Sequence, residues 1–378
     1  MKLLCSIIFV CFVYLLAGCV EESALPPAFK AARSRTILFY MAADNGLSAD
    51  SEQKIEALAA AWNIPGDNHL LVYQDRGGEN KPRLLEIVTE AMGTVEVRVL
   101  EEYEPENSAS TYPFIRAMNA MRTRYPGGDY GLIVFSHGSG WLPQGTFTPP
   151  TRSVATDGWF ELELTDFAAA IPDNQFRFIV FESCLMAGVE VAYELKDKTP
   201  YILASTTELL APGFTPLYGQ MLHELYAEEP RLENFGKAYY TYCEGLEGDF
   251  RSAALSVIRT SELASFKPLL KQVESHVAHW GTLDRTSWQH FDRKTDRFQF
   301  YDLADYVRAV GTEEEVAQLD TLLSKAIVWQ ASTDSFIPSS KNGFRIERHC
   351  GLSVYVPIPE FEYLNKKRKA LQLFTDKK

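Results

Sequence analysis

No two cysteines in this 378-residue chain form a CxxC pair, so neither a disulfide framework nor a structural zinc cluster is expected. GxSxG is missing, which leaves a serine hydrolase of the α/β type without its nucleophile turn. HExxH and the dinucleotide-binding glycine pattern are missing too. Positive charge is scarce: 37 Lys and Arg stand against 50 Asp and Glu, a net charge of −13. Such a chain repels phosphate backbones, which excludes nucleic acid as a natural partner. There is no internal repeat and no low-complexity block. What is present is the balance of a globular body, 46% hydrophobic and 23% charged.

The first residues are a separate object. Lys2 is followed by a nearly unbroken apolar run from Leu3 to Leu16. The run is short for a membrane span and suits a secretory signal. It closes on Leu16-Ala17-Gly18-Cys19, which resembles a bacterial lipobox. That resemblance implies cleavage after residue 18 and lipidation of Cys19. The body would then be anchored outside the cytoplasm, in the outer membrane where the organism has one. Residues 19–34 would be a tether, stiffened by Pro26-Pro27. Of six cysteines, Cys184, Cys243 and Cys350 remain in the mature body. An odd number leaves at least one thiol unpaired within the chain.

From residue 35 the chain alternates short apolar bursts with helical stripes. RTILFYM (35–41), Leu70–Gln74, Val95–Leu100, YGLIVF (130–135), FRFIVF (176–181) and Tyr201–Ser205 read as strands. Ser51–Trp62, Tyr112–Tyr125, Leu164–Ile171 and Ala187–Leu195 read as helices. Alternation of this kind predicts an α/β/α sandwich around a mostly parallel sheet, with a core over 35–215. Beyond it, 216–378 reads as a C-terminal elaboration of helices and strands packed on the core. There, 217–245, 261–280, Tyr301–Val310 and Glu313–Trp329 are helical, Ala253–Ile258 and Cys350–Val356 are strands, and Thr282–Phe298 is exposed.

Two places share one architecture. YGLIVF runs into Ser136-His137-Gly138, and FRFIVF runs into Glu182-Ser183-Cys184. Each puts a reactive side chain just past the carboxyl end of a buried strand, where open α/β sheets place their binding crevices. A thiol beside an imidazole, close to the start of a helix, favours the thiolate nucleophile. Gly138 lets the chain pass close to a substrate, and the amides of Gly138 and Cys184 are candidates for holding an oxyanion. On residue types alone, Cys184 is equally a packing cysteine and His137 a loop histidine.

A resemblance adds to this. FSHGSGW (135–141), ESCLMAGVEVAYEL (182–195), FYMAADNGL near the start, YDLADYV (301–307) and CGLSVYVP (350–357) are similar to segments of the clostripain-like cysteine peptidases. The 47 residues from His137 to Cys184 match the wider caspase-like spacing. The resemblance implies a caspase-like fold and a cysteine endopeptidase with Cys184 as nucleophile and His137 as base, acting on proteins or peptides. Glu182 stands where the family often has Asp, an acidic position that would favour cleavage after Arg or Lys. The bland reading of Glu182 is an ion pair with a neighbouring arginine such as Arg177. Asp44 and Asp157 are acidic contributors to the cleft or loop caps, and Arg152 and Lys196 are basic loop residues open to self-processing. Calcium stimulation belongs to the resemblance alone, since no EF-hand loop is present; no other cofactor or metal is implied. The alternative of another class is a lipid-anchored binding protein with a catalytically inactive peptidase fold.

Overall fold

Nine strands build the central sheet. In chain order they are β1 (Thr36–Ala42), β2 (His69–Asp75), β3 (Arg83–Thr89), β4 (Val95–Glu102), β5 (Tyr130–Phe135), β6 (Phe178–Glu182), β7 (Tyr201–Ser205), β8 (Ala254–Arg259) and β9 (Ile327–Ser332). The computed structural model describes residues 31–32, 34–144, 146, 154–293 and 298–375. The spatial order is β9-β8-β7-β6-β5-β1-β2-β3-β4. The inner strands β2, β1, β5, β6 and β7 run parallel. An antiparallel pair closes each side, β3 and β4 at one edge and β8 and β9 at the other.

Alternate residues of the inner strands feed two separate cores, as strands covered on both faces must. Leu38, Tyr40, Leu132, Val134, Ile179 and Phe181 pack against helices Thr111–Arg124, Leu164–Ala170, Phe266–Ser275 and Glu313–Ala326. Ile37, Phe39, Ile133, Phe135 and Val180 face helices Ser48–Ala61, Tyr218–Leu225 and Leu232–Glu244. The α/β/α sandwich is therefore present.

The differences from the sequence reading lie at the edges. Arg83–Thr89 is a strand that the apolar bursts did not mark. The helix expected over 313–329 ends at Ala326, and Ile327–Ser332 turns into β9. Ile327, Val328 and Trp329 favour extended backbone, and β8 supplies the partner. From the C-terminal elaboration, β8 and β9 complete the sheet within the compact unit that begins at Ala31. The strand expected at 350–356 stays outside the main sheet: Ser353–Tyr355 pairs with Phe300–Asp302. Within 282–298, Trp288, Gln289, Phe291 and Asp292 are buried rather than exposed.

Candidate active site

The geometry begins with strand register. Phe135 of β5 pairs with Glu182 of β6, so His137 and Cys184 each lie two residues past a matched pair on adjacent parallel strands. Neighbouring strands are about 4.8 Å apart, and this matching carries both side chains to one end of the sheet. The loops then touch. A Cβ added to Gly138 would lie 2.6 Å from the Cys184 carbonyl oxygen and 3.1 Å from its nitrogen. One at Gly140 would lie 3.0 Å from the Leu185 oxygen. The histidine loop is pressed backbone to backbone on the cysteine turn, and only glycine permits that approach.

The cysteine turn is held from the other side. Leu185 adopts φ 61°, a left-handed conformation costly for a branched residue. Its N–H donates to Thr207 O at 2.8 Å, and Ala187 N–H to Ser205 O at 2.9 Å. Its side chain is buried in the core. The helix expected from Ala187 begins instead at Val189 and is six residues long. Its N-terminus is thus five positions past Cys184, and a helix dipole fades within its first turn.

His137 and Cys184 line a common cleft of about 240 Å³ with Leu47, Asp50, Lys54, Phe135, Glu182 and the segment 208–213. Cys184 is half-buried, and its Sγ accepts the Leu209 N–H at 3.3 Å. The other thiols have different surroundings. Burial pushes Cys243 up to about 11 and Cys350 well above the ordinary thiol range. None of the three is in a disulfide.

Glu182 lines the cleft but is buried. Its Oε1 accepts Lys54 Nζ at 2.6 Å and Phe214 N–H at 2.7 Å, and its Oε2 accepts the Tyr218 hydroxyl at 2.9 Å. The partner is not Arg177, which pairs with Glu229 at 2.7 Å. Lys54 is the residue that sequence reasoning missed. Ser51, Lys54, Ile55 and Leu58 are the buried residues of helix 48–61, at i, i+3, i+4 and i+7, so helical spacing placed Lys54 on the inner face.

Asp44 and Asp157 do not line the cleft. Asp157 Oδ2 accepts the Ser108 amide and hydroxyl, at 2.5 and 3.0 Å. Burial, with Asp44 nearby, raises its pKa. Lys196 pairs with Asp197 at 2.6 Å; Arg152 and Cys19 lie outside the described residues. Among the described residues no group of three or more His, Cys, Asp or Glu is placed to hold a metal ion.

Residues 39–368 match peptidase family C11, the clostripain family. The chain belongs to the clostripain family. Its fold is similar to that of an inactive zymogen C11 protease from Parabacteroides distasonis, with 28% identity, a TM-score of 0.79, and 91% of this chain and 98% of that one covered. Two secreted C11 cysteine proteases from Bacteroides thetaiotaomicron share the fold. One, in complex with an irreversible peptide inhibitor, is 24% identical with a TM-score of 0.73 over 90% of this chain and 97% of its own. The other, called iotapain, is 20% identical with a TM-score of 0.77 over 91% and 99%. No curated protein matches. As a clostripain-family cysteine peptidase fold, the chain carries His137 and Cys184 at the two strand ends just described.

Gly138 offers a direct check on that arrangement. Gly138→Ala must push the histidine loop off the Cys184 carbonyl, because backbone stands in the way. A displacement of about 1 Å at a reacting pair costs about 100-fold in rate. The expected result is a fall of that order in kcat with KM little changed, in folded protein. An unchanged kcat would show that the loop contact does not position His137.

Proposed function

We propose that the protein is a cysteine endopeptidase working through a Cys184–His137 dyad. His137 takes the thiol proton as Sγ attacks the scissile carbonyl carbon. The tetrahedral oxyanion accepts N–H groups of Gly138 and Cys184. When the C–N bond breaks, His137 gives its proton to the leaving amine and a thioester remains on Sγ. Water, losing a proton to His137, attacks the thioester. The acid leaves and the proton returns to sulfur. The observation that carries the reading is the backbone contact of Gly138 with Cys184 at the ends of register-matched strands, beside an open cleft. A fold relative in complex with an irreversible peptide inhibitor supports peptides as the substrate class.

The test is reaction with a thiol-directed irreversible peptide inhibitor, read by mass, together with a peptide-library cleavage profile. Stoichiometric labelling at Cys184 and cleavage absent from Cys184→Ala support the dyad. Reduced, folded protein that neither labels nor cleaves would instead be the inactive binding protein. Cleavage after Arg or Lys was expected from a Glu182 open to substrate. The three hydrogen bonds that Glu182 accepts argue against that role.

The anchor is part of the proposal. Cys19 carries lipid and holds the body at the membrane outside the cytoplasm, several acyl chains being needed for firm attachment. Among the described residues no helix is long and apolar enough to cross a membrane. Cys19→Ser is expected to release the protein to the soluble fraction or stall its maturation. A variant processed and membrane-bound at wild-type levels would refute the anchor.

A further inference from the structure

The acidic position beside the nucleophile already holds a cation. Lys54 Nζ donates to Glu182 Oε1 at 2.6 Å, Thr215 Oγ1 at 2.8 Å and Pro212 O at 3.2 Å. These three acceptors use all three of its donors. The rings of Phe135 and Tyr218 flank it at 4.5 and 5.5 Å. Both side chains of the pair are sealed, 3% and 1% exposed. The loop closes over them at Gly213, whose φ is 63° and whose added Cβ would lie 2.4 Å from Glu182 Oε1. The arrangement is what an acidic pocket looks like with a lysine bound in it, except that the lysine comes from the protein itself.

The rest of the cleft wall accounts for its remaining charge. Glu208 is paired with Arg293 through two contacts, at 2.7 and 3.1 Å. Asp50 lies in the first turn of helix 48–61, where the helix dipole favours a carboxylate. Leu47, Phe135, Leu209, Leu210, Ala211 and Pro212 make the wall predominantly apolar. A cationic side chain entering here would give up water, meet the like charge of Lys54 and find Glu182 taken. An uncharged one loses little and gains apolar contact.

We infer that Lys54 is a specificity-determining residue that fills the cationic place of the cleft, so that the enzyme cleaves after uncharged, apolar side chains rather than after Arg or Lys. The inference rests on the dyad reading above and names the side chain that the same cleft receives.

The experiment is kcat/KM on matched reporter peptides with Leu, Met, Lys or Arg before the scissile bond. Wild type is expected to favour Leu or Met over Lys and Arg by about tenfold or more, the effect of one charge left without a partner. Lys54→Ala empties the cationic place while Phe214 N–H and Tyr218 hydroxyl still hold Glu182. The ratio of Lys to Leu cleavage is then expected to rise at least about tenfold, and K54A/E182Q to lose that gain. A Lys54→Ala protein that folds and cleaves with an unchanged ratio overturns the inference. Should that variant not fold, wild type decides alone: preference for Lys or Arg overturns it, and loss of that preference in Asp50→Asn would assign the recognition to Asp50. Labelling of Cys184 by the irreversible inhibitor separates the two readings. Enzyme that labels but prefers basic residues refutes only the role of Lys54, whereas protein that does not label removes the dyad and the inference with it.

Discussion

Cys184→Ala and His137→Ala are each expected to lower kcat/KM by about 10⁴-fold or more, and the double variant to fall little further. In the proposed dyad, nucleophile and base act as one unit. Without sulfur there is no atom to carry the thioester, and without the imidazole neither proton transfer has a carrier. Removing the second member of a unit already disabled costs little. What remains is the rate given by backbone N–H groups and substrate binding. Neither change should disturb folding, since Cys184 is half-buried at the cleft and His137 lies at the mouth of a loop fixed by backbone contacts. The measurement is steady-state cleavage of one good peptide by the four proteins, with thermal unfolding as control. Losses that multiply, each variant retaining partial activity, would mean that the two residues act separately. A Cys184→Ala protein with wild-type cleavage would place the nucleophile elsewhere.

The second large effect is on stability. Glu182→Gln and Lys54→Met are each expected to destabilise the fold by about 3–5 kcal/mol, because each leaves one buried charge without its counter-ion. In Glu182→Gln the Lys54 ammonium keeps Thr215 Oγ1 and Pro212 O but loses the carboxylate. In Lys54→Met the carboxylate keeps Phe214 N–H and the Tyr218 hydroxyl but loses the cation. The double variant K54M/E182Q buries no net charge and retains an acceptor for the neighbouring donors. It should lose less than the sum of the singles, with a coupling energy of about 2 kcal/mol. Urea unfolding of the four proteins gives the cycle. Additive losses would mean that Lys54 and Glu182 do not act as a pair. The segment 209–215 should loosen in both single variants, because the pair ties it to the end of β6, and Leu209 of that segment touches Cys184 Sγ.

The reactive ends of the sheet were legible in sequence because two simple forces placed them. YGLIVF and FRFIVF are apolar on both faces, so burial alone makes them inner strands, and His137 follows the first run by two residues and Cys184 the second by three. At Gly138 the sequence pointed to a close approach of substrate, whereas the fold uses the missing side chain to press the loop on the Cys184 backbone. The edges were harder. Arg83–Thr89 carries charge at Arg83 and Glu86 and has no continuous apolar run. Ile327–Ser332 follows a helix without a break, and only pairing with β8 makes it a strand.

The sequence by itself determined an α/β chain with a thiol and an imidazole just past the ends of two buried strands, because periodicity and burial act locally along the chain. Tertiary structure alone decided what the thiol's neighbours are. Helical spacing puts Lys54 on the inner face of its helix but does not name its partner, and a glutamate beside a nucleophile reads as a free charge. Their pairing spans 128 positions and exists only because helix 48–61 packs over the end of β6, where both lose water. Whether a charge recognises a substrate or is already satisfied depends on that desolvation and on the nearest opposite charge, which are properties of the packed fold.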